Sequence, residues 1–164
     1  MVFGHLTVTA AGHRLLRRPL PQVAVLPLGL LILGAYLPDL VDKSTNLLVG
    51  LSGRGYGHSL VIQAALFAPA LLLLRRWRIQ VFSLALGAAI HLLEDWVDAA
   101  VALAPLLGSI PLAPRWDWFE SLRRFYLEGG PQVWLELASF GYWIVVGVRL
   151  ATRPRNLSAA KQAA

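Results

Sequence analysis

Long apolar blocks run along this chain, and the breaks between them fall at proline, glycine and arginine. Residues 3–16 carry the first block, and Pro19 and Pro21 end it, because proline cannot continue a helix. At about 1.5 Å per residue this helix is short for a bilayer's hydrocarbon core. It is expected to lie in the interface or to pack inside a bundle. Residues 22–37 read as a second helix, bent at Pro27 and ended by Pro38. A polar, glycine-rich loop is expected over 38–57. Residues 58–74 predict a third helix, with Ser59 as its cap. Residues 79–98 predict a fourth, apolar until His91. Over 99–130 the pattern is interrupted by Pro105, Gly108, Pro111 and Pro114, with an amphipathic helix from Asp117 to Tyr126. Residues 132–150 form the last apolar helix. The tail from Thr152 is polar and expected to be disordered. The pattern predicts an all-α fold: one domain over residues 1–151, a membrane-embedded bundle of about five helices, and a tail over 152–164.

Composition explains why a membrane enters that reading. Of 164 residues, 57% are hydrophobic, against roughly 45–50% in a soluble domain. The mean hydropathy is +0.59. There are no cysteines, which excludes disulfides and thiolate metal sites, so any metal must use nitrogen and oxygen ligands.

The net charge of +6 gathers in three clusters: Arg14, Arg17 and Arg18; Arg75, Arg76 and Arg78; and Arg149, Arg153, Arg155 and Lys161. Each flanks an apolar run, as cytoplasmic anchors do. No basic stripe with interleaved aromatics appears, so no nucleic-acid partner is expected. Membrane lipids are the expected partners. The first basic cluster follows the first apolar stretch, which is not a signal-peptide pattern. With every cluster on the cytoplasmic face, His5, Asp39, Asp42, His58, His91 and Asp95 fall toward the other. An integral protein of the inner membrane, its polar site facing the extracytoplasmic side, is therefore expected. Arg115, Arg123 and Arg124 break the pattern, offset by Asp117, Glu120 and Glu128. A monotopic protein embedded in one leaflet is the alternative.

Ionisable groups in apolar surroundings are costly unless an ion or a partner compensates them. His91 and Asp95 are four apart, so on a helix they share a face and can reach one ion. Alone, they also suit a helix end with a satisfied histidine and a solvated acid. Asp39 follows Pro38 at a predicted helix end, where the dipole disfavours a carboxylate and a cation would explain it. Asp42 suits a second ligand, a general base, or an acceptor for a ligand histidine's N–H. His58 follows Gly53-Arg54-Gly55-Tyr56-Gly57, a loop that allows close backbone approach. Arg54 could pair there with a phosphate. His5 is a further candidate ligand, whereas His13, beside Arg14, reads as interfacial. Asp39, His58, His91 and Asp95 make an Asp2His2 set that suits zinc, with manganese or iron as alternatives. Such an ion activates water, and Glu94 or Asp42 could act as general base. No Gly-x-Ser-x-Gly elbow is present, which argues against a serine hydrolase.

Gly4-His5-Leu6, Leu37-Pro38-Asp39-Leu40-Val41-Asp42, Arg54-Gly55-Tyr56-Gly57-His58-Ser59-Leu60 and His91-Leu92-Leu93-Glu94-Asp95 together resemble the YdjM-like family. The resemblance covers residues 4–118, and Pro111-Leu112-Ala113-Pro114-Arg115-Trp116 is similar to that family's Pro/Trp-rich segment. It implies an inner-membrane-associated, metal-dependent hydrolase, and one member is described as LexA-binding. It also implies a distant similarity to zinc-dependent phospholipase C and the zinc single-strand nucleases, whose core fold would then be shared. In those enzymes one metal is held by an Asp, a His and a His-x-x-x-Asp pair, matched here by Asp39, His58, His91 and Asp95. The further histidines and second His-x-x-x-acid pair of their three-zinc sites have no clear counterparts. The resemblance thus implies one well-formed site, with His5 and Asp42 as remnants of a second. Two positions depart from the pattern: Gly57 stands where Thr usually precedes the histidine, and the second acid, Asp42, is shifted by one and followed by Lys43.

The reading that follows is a membrane-bound hydrolase of a phosphoester or lipid-linked ester. Asp39, His58, His91, Asp95 and His5 are its metal candidates, and Glu94, Asp42 and Arg54 its catalytic candidates. The rival is a non-enzymatic membrane protein whose metal or polar network is structural and whose role is regulatory. A small transporter is a third option, disfavoured by a site near one membrane face.

Overall fold

The structure, a computed structural model, describes residues 2–50, 55–95, 97–109 and 118–152. Within these the chain forms helices α1 (Val2–Leu16), α2 (Pro21–Ala24), α3 (Leu28–Val49), α4 (Leu60–Leu73), α5 (Arg78–Glu94), α6 (Ala99–Ala102), α7 (Trp118–Glu128) and α8 (Pro131–Ala151), with a 3-10 turn at Arg75–Trp77. No strand occurs among the described residues, so the fold is all-α. Five helices (α1, α3, α4, α5 and α8) are 14 residues or longer. The tail beyond Thr152 lies outside the described residues.

The largest departure from the sequence reading is α3. A helix ending at Pro38 and a loop over 38–57 were expected, but α3 continues through Pro38 to Val49 and closes on Gly50 in the left-handed conformation, φ 73°. Proline inside a helix removes one backbone hydrogen bond and costs ~3 kcal/mol in isolation. Here Pro38 is fully buried, and its backbone packs closely against Gly57. Asp39 and Asp42 are therefore helix-interior residues, and the argument from an unfavourable helix end does not apply to Asp39. Pro27 breaks the second predicted helix instead of bending it, leaving α2 and starting α3.

Two glycines set a close approach between α3 and α5. A Cβ on Gly34 would meet the Leu84 carbonyl oxygen at 2.3 Å, and one on Gly87 would meet that of Leu31 at 2.1 Å. Only glycine lets two helix backbones come this near. Ala35, Ser83 and Ala88 line the same crossing and are buried. Asp39 lies five residues past Gly34, and His91 four past Gly87, so the crossing delivers both to one end of the bundle.

Helices α1 and α8 run parallel. The Glu136 carboxylate accepts from the first amides of α1, and farther along Trp143 Nε1–H donates to Thr7 Oγ1 at 3.0 Å. Arg14 and Arg149 thus lie toward the ends of this pair remote from His5. Helix α5 likewise starts at Arg78 and ends beside His91.

Polarity is inverted relative to a soluble domain. The largest fully buried side chains are His5, His58, His91, Asp42, Pro38, Ser59 and Ser83. Large apolar side chains face outward along α4 and α8: Leu66 is 67% exposed, Leu73 79% and Trp134 74%. Among the described residues, α8 alone is long and apolar enough to cross a bilayer. Residues 60–73 and 75–94 meet that test only as one unit, bent by 109° at the break. Helix α4 is about 21 Å long, and α3 carries Asp39, Asp42 and Lys43 in its middle.

Candidate metal centre

Three elements bring the four ligand candidates together. Asp39 comes from the middle of α3, His91 from the last turn of α5, and Asp95 caps that helix, its N–H donating to the His91 carbonyl at 3.0 Å. His58 comes from the turn before α4. That turn is fixed by Ser59, whose Oγ accepts from Ile62 N–H at 3.2 Å and donates to the Ala104 carbonyl. An N-cap of this kind contributes about 1 kcal/mol. Gln63 Nε2 donates to the Gly57 carbonyl at 2.8 Å and holds the turn from the other side.

One atom from each of the four residues falls within 4.8 Å of the others. His58 Nε2 and His91 Nε2 face each other at 3.2 Å. His58 Nε2 is 3.9 Å from Asp39 Oδ1 and 3.6 Å from Asp95 Oδ2. His91 Nε2 is 3.9 Å and 3.8 Å from the same two oxygens. Both imidazoles are fully buried, while the Asp39 and Asp95 side chains are 18% and 11% exposed. The cluster is therefore open on its carboxylate side.

Asp42 determines which nitrogen His58 offers. Its side chain is completely buried, and His58 Nδ1–H donates to its Oδ2 at 2.6 Å. Gly55 N–H donates to Oδ2 and Gly57 N–H to Oδ1, both at 2.6 Å, and His58 N–H reaches Oδ2 at 3.3 Å. With the Nδ1 proton committed to Asp42, Nε2 presents a lone pair to the cluster. Asp42 is thus the acceptor behind a candidate ligand histidine, and with both oxygens occupied it is not placed to act as a base. Gly57 suits this arrangement, because a Cβ there would meet the Pro38 carbonyl oxygen at 2.2 Å.

These residues fit a divalent cation on physical grounds. Two carboxylate oxygens and the His58 lone pair converge with His91 Nε2, so acceptors outnumber the protons available to them. Among the described residues His91 Nδ1 is buried without a hydrogen-bond partner, so none of them fixes its tautomer from the far side. A cation between the four removes the repulsion, and nitrogen and oxygen donors in this ratio suit zinc, manganese or iron.

His5 is placed against this group and outside it. Its ring packs against that of His91, tilted by 37° with centroids 4.2 Å apart, its Nδ1 hydrogen-bonds to Glu94 Oε2, and its Nε2 lies 3.4 Å from Asp95 Oδ1. Lys43 Nζ pairs with Asp39 Oδ2. Burial pushes the Asp95 carboxyl up, but the His5 and His58 imidazoles beside it and the nearby His91 outweigh burial and hold it well below the usual carboxylate range. Glu94 Oε1 is buried without a hydrogen-bond partner among the described residues. Arg54 lies outside the described residues, as does the Pro/Trp-rich segment at 111–116.

The sequence reading missed Glu136. This acid in the apolar helix α8 is 4% exposed and accepts from Val2 N–H at 2.8 Å, Phe3 N–H at 3.0 Å and Gly4 N–H at 2.7 Å. The signal was available, because an ionisable residue inside an apolar helix is by default a functional candidate. Gln63 and Asn46, both buried, gave no such signal.

No curated protein and no solved structure matches this chain. A family model described as the YdjM inner membrane protein matches residues 1–155, and the chain belongs to that family.

Proposed function

We propose that this protein is a membrane-bound, metal-dependent hydrolase of a phosphoester or a lipid-linked ester. The observation that carries the reading is the convergence of Asp39, His58, His91 and Asp95 into one acceptor cluster that is buried on its imidazole side and reachable on its carboxylate side. Zinc is the ion the donor set suits best, with manganese or iron as alternatives. When bound, such an ion supplies Lewis acidity and brings the pKa of water toward about 7.

The chain's own residues have separable tasks. Asp39, His58, His91 and Asp95 hold the ion. Asp42 fixes the tautomer and ring plane of His58. His5 steadies Asp95 from outside the cluster. Glu94 is the candidate general base, because its Oε2 is engaged by His5 while its Oε1 has no hydrogen-bond partner among the described residues. Arg54 is the candidate contact for a substrate phosphate.

Location supports a lipid or lipid-linked substrate. Apolar side chains cover the outside of α4 and α8, as lipid contact requires. The Arg14 and Arg149 ends of α1 and α8 lie away from the site, so the positive-inside rule orients the metal centre to the extracytoplasmic side. A second reading, a structural metal in a regulatory membrane protein, is favoured by one observation: Lys43 on Asp39 and His5 on Asp95 already engage the outer carboxylate oxygens.

The test is hydrolysis in detergent micelles of a phosphodiester, a phosphomonoester and mixed phospholipids, after chelation and after zinc or manganese is restored. Metal-dependent turnover that the double variant His91→Ala, Asp95→Ala lacks is the expected result. A wild-type protein that binds metal tightly yet hydrolyses none of these favours the structural reading.

A further inference from the structure

Helix α8 reaches the rest of the molecule chiefly through α1. At that contact it places a buried carboxylate, Glu136, against three backbone N–H groups that α1 cannot satisfy itself. The first turn of α1 contains no acid of its own. A carboxylate there receives three hydrogen bonds and faces the positive end of the helix dipole, which offsets the cost of burying it in an apolar helix. Gly4 N–H, the closest of the three donors, belongs to the residue immediately before His5. His5 in turn packs against His91 and lies against Glu94 and Asp95. A continuous path therefore runs from Glu136 through the first turn of α1 to His5, and from His5 to two residues of the cluster.

We propose that Glu136 is a positioning residue of the metal centre: it seats the first turn of α1, and through it His5, against Asp95 and His91. It does not touch the ion. Its link to metal affinity rests on the metal-centre reading above, while its seating of His5 does not. One consequence is that α8, whose outer face is apolar, is coupled to the site through the first turn of α1.

The experiment uses the full chain in detergent micelles. Glu136→Gln keeps the side chain's size but turns one acceptor into an N–H2 group facing backbone donors. Trp143→Phe removes the other side-chain hydrogen bond between α1 and α8, that to Thr7, and serves as the packing control. Imidazole 15N spectra without added metal report on His5, and zinc competition against a chelator reports affinity. In Glu136→Gln the His5 signals should shift while those in Trp143→Phe stay in place, and zinc affinity should fall about 10–100-fold, the range for residues behind metal ligands. His5→Ala should lose a similar factor, and the double variant no more than the larger single loss, because both act along one path. Unchanged His5 signals in a folded Glu136→Gln protein, or losses that multiply in the double variant, would overturn the proposal. If Glu136→Gln does not fold, Glu136→Asp, one methylene shorter, carries the same test. A wild type that binds no zinc defeats the metal reading, and the His5 spectra still decide the role of Glu136.

Discussion

Asp42 accepts hydrogen bonds from Gly55, Gly57 and both nitrogens of His58 that face it, and so ties the turn before α4 to the middle of α3. Its oxygens are spent on orientation, so in the proposed centre it would hold His58 in place without binding the ion. Asp42→Asn keeps the shape but presents N–H2 where an amide or imidazole N–H now donates. We expect it to weaken zinc binding about 10–100-fold, measured by chelator competition. Unchanged affinity would remove Asp42 from the site. Burial lowers the pKa of the His58 imidazole, but the Asp42 and Asp95 carboxylates outweigh it and raise that pKa above the ordinary histidine value. A protonated imidazole cannot ligate, so binding should weaken as pH falls through that raised value, and titration of affinity against pH checks this. At this scale much was legible in the sequence. His91 and Asp95 are one turn apart on any helix, and Asp39 and His58 stand out as polar residues in apolar surroundings. The role of His5 was not legible, because its distance from the cluster depends on how α1 is seated. Glu136 was overlooked although it is an acid inside an apolar run.

Among the elements, the crossing of α3 and α5 does most to build the site. Gly34 and Gly87 allow a backbone contact that a methyl group would obstruct. Gly34→Ala or Gly87→Ala should each destabilise the protein by about 1–3 kcal/mol, read by thermal denaturation in detergent, and should weaken metal binding by spreading Asp39 from His91. Gly141→Ala, where an added Cβ meets nothing within 4 Å, is the control and should change neither. Apolar periodicity placed α1, α4, α5 and α8 to within a few residues, because each is a continuous block bounded by proline, glycine or charge. It failed at α3. Proline and a polar run are local signals to stop a helix, and they were overridden by burial of Pro38 against Gly57, a contact between residues far apart in sequence.

At the level of the whole molecule, polar groups sit inside and apolar groups outside, which is stable where the surroundings are themselves apolar. The chain should therefore stay in the membrane pellet after alkaline carbonate washing and require detergent for release. Release by carbonate alone would contradict an integral protein. Composition carries the same expectation, since 57% hydrophobic residues exceed what a small core needs. The bent arrangement of α4 and α5 was not visible, because the 109° angle is set at a short turn whose arginines mark a boundary without fixing its direction.

The central claim is that Asp39, His58, His91 and Asp95 hold one divalent ion. Elemental mass spectrometry of the detergent-purified protein, beside His58→Ala and the double variant His91→Ala, Asp95→Ala, tests it most directly. Near-stoichiometric zinc, manganese or iron is expected in the wild type and its loss in both variants, with helix content retained. A wild type without bound metal, even after reconstitution, or variants that keep their metal, would contradict it.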